Sequence, residues 1–176
     1  EEANPKYPYQ EHAGYPNGVV RGYHALGLFK DDYDIETSPV QTFGNYQPGD
    51  IKYADINGDG RIDSDDQTPI AYTPILMYGF GGEIAWRNFS LGVLFKGTGN
   101  TDFFYGGNGY IPFANGKAGN VITLAADPAN RWIPMEYALE NGIDPSLAEN
   151  PNAIYPRLNY GAQNNNNRTS TFWKGN

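Results

Sequence analysis

Between Tyr78 and Lys96 the side chains alternate in character with a period of two residues, and nothing else in the chain narrows its fold as much. Tyr78, Phe80, Gly82, Ile84 and Trp86 fall on one side, and Gly79, Gly81, Glu83, Ala85 and Arg87 on the other. Successive side chains of a strand point to opposite faces, so this is the pattern of a strand with one apolar face and one small or polar face. It resumes at once, with Phe89, Leu91, Val93 and Phe95 against Ser90, Gly92, Leu94 and Lys96, and Leu94 is the one exception on the polar side. The short link at Arg87-Asn88 predicts a tight hairpin of strands over 78–87 and 89–97. Each strand is about nine residues long, the length a tilted strand needs to cross a bilayer core. Tyr78, Trp86, Phe89 and Phe95 sit near the strand ends, where interfacial aromatics belong. A hairpin in a water-soluble sandwich would show the same alternation, so the pattern alone leaves both environments open.

The rest of the chain separates them. A further strand is predicted over 19–29, in Val-Val-Arg-Gly-Tyr-His-Ala-Leu-Gly-Leu-Phe, while 30–76 and 98–169 are long, irregular and rich in Gly, Pro, Asn and aromatics. With 22 Gly, 13 Pro and 15% aromatics, the composition suits a β-protein with long loops. A minimal turn on one side and long loops on the other is the asymmetry of membrane barrels. The expected fold class is therefore all-β, a fragment of a large antiparallel transmembrane β-barrel with long extracellular loops, and residues 1–176 form part of one barrel domain. A short helix is predicted over 134–141, where Met135, Ala138 and Leu139 recur at helical spacing after Pro134. The run Asn164 to Asn167 is expected to be a flexible loop tip. Net charge of −8 argues against nucleic acid as a partner, and the absence of cysteine rules out a disulfide framework. No apolar run reaches the roughly 18 residues of a membrane helix. With no initiator Met and no signal peptide, the chain reads as a piece of a longer precursor.

Residues 55–66 carry a second motif, Asp-Ile-Asn-Gly-Asp-Gly-Arg-Ile-Asp-Ser-Asp-Asp. Side-chain oxygens fall at loop positions 1, 3, 5, 9 and 12, and glycine at position 6, which is the ligand order of a calcium loop. Asp55, Asn57, Asp59 and Asp66 are the expected side-chain ligands of a structural Ca2+. Asp63 would ligate directly or through water, Arg61 would offer its backbone carbonyl, and Ile62 would point inward. Asp66 stands where a bidentate Glu is usual, which implies modest affinity. The closing Asp resembles dockerin-type loops. The same acidic, glycine-containing stretch also suits a plain solvated turn.

Catalytic machinery finds no support. His12 and His24 lie in no recognisable constellation, Asp31-Asp32 and Asp65-Asp66 are sequence neighbours that would not face each other across a scissile bond, and no nucleophile elbow is present. The expectation is a protein that is not an enzyme.

Gly22-Tyr23-His24-Ala25-Leu26-Gly27-Leu28-Phe29, Gln47-Pro48-Gly49-Asp50-Ile51-Lys52-Tyr53-Ala54-Asp55-Ile56-Asn57-Gly58-Asp59-Gly60, Pro74 through Tyr78-Gly79-Phe80, Phe89-Ser90-Leu91, Tyr155-Pro156-Arg157-Leu158 and Thr169-Ser170-Thr171-Phe172-Trp173 together resemble the C-terminal barrel region of SusC/RagA-type TonB-dependent transporters of Bacteroidetes. The resemblance implies a plugged outer-membrane barrel that imports glycans or peptides, driven through TonB. It implies a SusD-like surface lipoprotein as lid, and contact with outer-membrane lipid. The plug and the TonB-contacting box have no counterpart in these residues. The competing expectation is a soluble, calcium-stabilised β-module that binds carbohydrate or a protein partner, with the stretch from Phe103 to Tyr110 as an aromatic platform.

Overall fold

The computed structural model describes residues 6–71, 74, 76–99, 102–107, 109–113, 121–160 and 165–175. Strands in antiparallel pairs dominate, helices are few and short, and the described strands do not close a barrel. Two parts bury their residues in opposite ways.

The first part is the hairpin. β7 (Leu76–Trp86) and β8 (Phe89–Gly99), each 11 residues, pair antiparallel without a register shift from Leu76↔Gly99 to Trp86↔Phe89. The two-residue period survives as cross-strand rungs. Phe80↔Phe95, Ile84↔Leu91 and Trp86↔Phe89 stack on one face, whereas Gly79↔Lys96, Gly81↔Leu94 and Glu83↔Gly92 share the other. The Phe80 and Phe95 rings are stacked with centroids 5.1 Å apart. Arg87 turns the chain with a φ of 52° and lays its guanidinium 4.5 Å from the Trp86 ring centre. A Cβ on Gly97 would come within 2.4 Å of the end of the Tyr78 ring, so a larger residue there would push that exposed side chain aside. Neither strand has a buried residue.

The second part is a packed lobe. The strand predicted over 19–29 divides into β1 (Val20–Gly22) and β2 (Ala25–Leu28). The physical cause is the chain near residue 170: the Tyr23 N–H donates to the Thr169 carbonyl and the Thr171 N–H to the Tyr23 carbonyl, which ties up the backbone between the two strands. Further along come α1 (Asp32–Glu36), capped by the Asp31 carboxylate, β3 (Val40–Gln41), β4 (Ile51–Tyr53), β5 (Arg61–Ile62) and β6 (Thr68–Ala71). β1 pairs with β6 and β2 with β4, both antiparallel, while β3 and β5 run parallel. Beyond the hairpin, β9 (Phe103–Phe104) pairs with β10 (Lys174–Gly175), and two short helices, α2 (Thr123–Ala126) and α3 (Met135–Glu140), lie between them in sequence. α3 falls where helical spacing places it, but only Ala138 is buried, and Leu139 is 64% exposed.

Residues from both long connections fill one core. Tyr23, Phe43 and Tyr53 pack ring against ring at 4.8 to 5.8 Å, and Ile51, Ile62, Trp132, Tyr155 and Trp173 belong to the same cluster. The connections before and after the hairpin are thus halves of one folded unit.

Polar side chains weld the halves together. The Arg157 Nη2 lies 2.8 Å from Asp50, whose side chain is fully buried, and the Asn166 amide donates to the same carboxylate at 2.7 Å. Asn166 also accepts the Ile51 N–H at 2.8 Å, and Asn165 donates to the Ile51 carbonyl at 2.8 Å. Gln41 bridges the Ile51 carbonyl, the Asn165 side chain and the Tyr53 N–H. Burial pushes the Asp50 carboxyl above its ordinary value, against the opposing pull of Arg157, the Gln47 N–H and Asn166. The asparagine run therefore corrects its expectation as a flexible tip: Asn165 is 0% and Asn166 3% exposed, because their amides supply both donor and acceptor to a buried strand. Asn164 lies outside the described residues.

Replacing Asn166 with Leu keeps the branched outline of the side chain but strips the Ile51 N–H and the Asp50 carboxylate of a partner. The expected loss is about 2 kcal/mol or more of lobe stability, read from the urea midpoint of Trp132 and Trp173 fluorescence, and an unchanged midpoint contradicts the role assigned to this residue.

Candidate functional site

Two features carry functional chemistry, the acidic loop at 55–66 and the exposed hairpin. The loop hangs between β4 and the 3-10 turn Ser64–Asp66 that leads into β6. Gly58 and Gly60 hold φ of 74° and 82°, which lets the chain turn twice within a few residues. Ile62 points inward as its position predicts, with no exposed surface, and it anchors the loop in the core. β5 pairs with β3, so the far side of the loop is fixed as well.

Within this frame the side-chain oxygens turn toward the loop's own backbone. The Asp55 carboxylate accepts the Gly58 N–H at 2.6 Å and the Gly60 N–H at 2.8 Å. Asp66, fully buried, accepts the Ile56 N–H at 2.8 Å and the Asp63 N–H at 2.9 Å, closing the last residue of the loop back onto its start. Asp59 accepts the Arg61 N–H at 2.9 Å and the Asn57 amide at 3.0 Å. The Asn57 oxygen takes the Asp59 N–H, and Asp63 takes the Asp65 N–H. Asp55, Asn57, Asp59, Asp63 and Asp66 thus each accept an N–H group of the same loop, and Arg61 lies in β5. Among the described residues no three acidic or imidazole side chains converge as a metal cluster. Loop N–H groups hold each of these side chains, and their donor chemistry, oxygen throughout, suits a hard divalent cation.

One neighbour was not foreseen. Lys6 pairs with Asp65 at 2.8 Å, Gln10 donates to the same side chain, and the Tyr9 hydroxyl donates to the Asp65 carbonyl at 2.7 Å. The Lys6 hydrogen bond draws the Asp65 carboxyl below its ordinary value. No sequence signal pointed to this clasp, because its partners lie more than 50 positions apart. His12 and His24 enter no such cluster among the described residues.

The hairpin is the opposite kind of surface. Phe80, Ile84, Trp86, Phe89, Leu91, Val93 and Phe95 are 43% to 76% exposed, a continuous apolar band along one face. Among the described residues β7 and β8 pair only with each other, so the outer edge of each strand is unpaired. No helix among the described residues is long and apolar enough to cross a membrane.

No family model matches the chain. It is similar to TonB-dependent receptor P26 of Formosa agariphila, with 28% identity over 140 residues that cover 79% of this chain and 12% of that protein. The match supports the TonB-dependent receptor family, and the chain spans about an eighth of the length of the relative it matches.

The loop geometry makes Asp66 the structural keystone and Asp59 peripheral. Asp66→Ala is expected to destabilise the lobe by about 2–3 kcal/mol because it orphans the N–H groups of Ile56 and Asp63, and to speed hydrogen exchange at both. Asp59→Ala is expected to leave those amides protected, and equal effects of the two substitutions contradict the assignment.

Proposed function

We propose that this chain is a segment of an outer-membrane, TonB-dependent active transporter of the SusC type, which imports glycans or peptides together with a SusD-like surface lipoprotein. Contact with TonB runs through parts of the protein outside these residues. The observation that carries the reading is the hairpin, whose faces are both solvent-exposed and whose apolar face is covered by nothing among the described residues. At about 3.3 Å per residue, strands of 11 residues are about 36 Å long, and a 45° tilt brings them to about 25 Å, the height of the apolar band on an outer-membrane barrel. The similarity to a protein named TonB-dependent receptor points the same way, toward transport and away from catalysis. A soluble module would need a second sheet to cover the apolar band and strands to pair both edges, since the band and edges left open in water aggregate.

In this reading the lobe faces outward and the loop at 55–66 stiffens it. A Ca2+ ion would be held by Asp55, Asn57, Asp59, Asp63 and Asp66, with the Arg61 carbonyl as a further oxygen. The ion supplies positive charge among carboxylates that otherwise repel, so its task is structural. The chain's own residues do the positioning: Asp66 ties the end of the loop to its beginning and Ile62 roots it in the core.

Placing a charge on the two faces of the hairpin tests the membrane reading. Val93→Arg, at mid-strand on the apolar face, is expected to cost about 2–4 kcal/mol in assembly of the intact protein into bilayers, whereas Gly92→Arg, on the opposite face, is expected to assemble nearly as the unaltered protein does. Equal tolerance of both contradicts a lipid-facing side. Calcium is tested by titration calorimetry on the intact protein: Asp59→Ala is expected to weaken Ca2+ binding and loosen the loop without unfolding the barrel, and global unfolding contradicts a local structural role.

A further inference from the structure

We propose that the turn of the hairpin is a binding site for the phosphate of a phospholipid headgroup, with the Arg87 guanidinium and the Trp86 indole N–H as its donors; this rests on the membrane reading above and names one lipid contact within it.

The turn holds an arginine against the preference of its backbone. Trp86↔Phe89 is the last rung, so Arg87 and Asn88 form a two-residue loop. Arg87 has a φ of 52°, whereas Asn88 is not among the residues of positive φ. These are the signs of a type II′ turn, whose first central position suits Gly. Any side chain there is strained, and strain at a single exposed residue points to a task for that side chain.

The side chain is placed for binding rather than for packing. Its guanidinium lies over the Trp86 ring, 4.5 Å from the ring centre, and both residues are exposed. Among the described residues, Arg87 enters no ion pair and the Trp86 indole N–H has no acceptor. Arg87 is also the sole charged residue between Glu83 and Lys96. Glu83 pairs with Gly92, three rungs back and on the opposite face, so no carboxylate of the hairpin neutralises the turn.

Position selects the occupant. Trp86 and Phe89, 63% and 76% exposed, close the apolar band at its turn end, the level at which acyl chains give way to headgroups. A cation fixed there meets lipid phosphate. The planar guanidinium can stack on the indole and still direct a fork of N–H donors at two phosphate oxygens, and the indole N–H adds a third donor. Minimal turns of outer-membrane barrels face the periplasm, which puts the lipid in the inner leaflet.

The test gives the intact protein, in a maltoside detergent, equal amounts of phosphatidylglycerol and monogalactosyl diacylglycerol with the same acyl chains, and counts retained lipids by native mass spectrometry. Arg87→Gly is expected to weaken retention of one phosphatidylglycerol about fivefold and to leave the galactolipid unchanged. Arg87→Lys, which keeps the charge and loses the fork, is expected to fall between the two. Because Gly fits the turn, Arg87→Gly is expected to melt no lower than the unaltered protein in the galactolipid alone. The proposal is overturned if Arg87→Gly retains phosphatidylglycerol as the unaltered protein does, if it loses both lipids equally, if it melts lower in the galactolipid, or if soluble glycerol phosphate displaces the lipid. If Val93→Arg assembles into bilayers as readily as Gly92→Arg, the membrane reading itself fails; if Val93→Arg alone is excluded and Arg87→Gly keeps its phospholipid, only the phosphate site fails.

Discussion

A two-stranded ribbon that buries neither face gains nothing from its own apolar side chains, and in water such ribbons are marginal. β7 and β8 nevertheless pair through every rung from Leu76↔Gly99 to Trp86↔Phe89, with an uninterrupted apolar band on one face. Something outside the described residues must cover that band and pair the two free edges. A closed barrel in lipid meets both demands at once, since neighbouring strands satisfy the edges and acyl chains cover the band. A soluble sandwich meets them only by adding a second sheet of matching length. The hairpin's exposure is thus the constraint from which the functional reading descends.

The lobe obeys the contrary rule. Its strands are only two to four residues long, too short to hold by pairing alone, and its stability rests on one aromatic core and a buried polar network. Asp50, Arg157, Asn165, Asn166 and Gln41 link segments more than 100 positions apart, so the chain on either side of the hairpin folds as a unit. A lobe tied together in this way can hold the acidic loop in a fixed position. The 55–66 loop is rooted in the same core through Ile62.

Local patterns were legible in the sequence, and long-range ones were not. The hairpin, its turn at Arg87-Asn88, the inward-pointing Ile62 and the short helix after Pro134 all follow from periodicity or turn chemistry that acts within a few residues. The continuous strand over 19–29 failed because its break is imposed by Thr169 and Thr171, which compete for the Tyr23 backbone from far along the chain. The asparagine run misled for the same reason. Its composition is that of a loop tip, yet the amides of Asn165 and Asn166 complete the hydrogen bonding of Ile51, and nothing near them in sequence marks that partner. Of the acidic loop, the turn and its glycines could be read from spacing, while the Lys6, Tyr9 and Gln10 clasp on Asp65 could not.

The most direct test of the account is single-cysteine scanning along 76–99 in the intact protein reconstituted in liposomes, with each position labelled by a polarity-sensitive probe. Lipid contact at Phe80, Ile84, Leu91, Val93 and Phe95 that alternates with water contact at Gly79, Glu83, Gly92 and Lys96 is the predicted result. Uniform water access along both strands, or burial of both faces in protein, would contradict it.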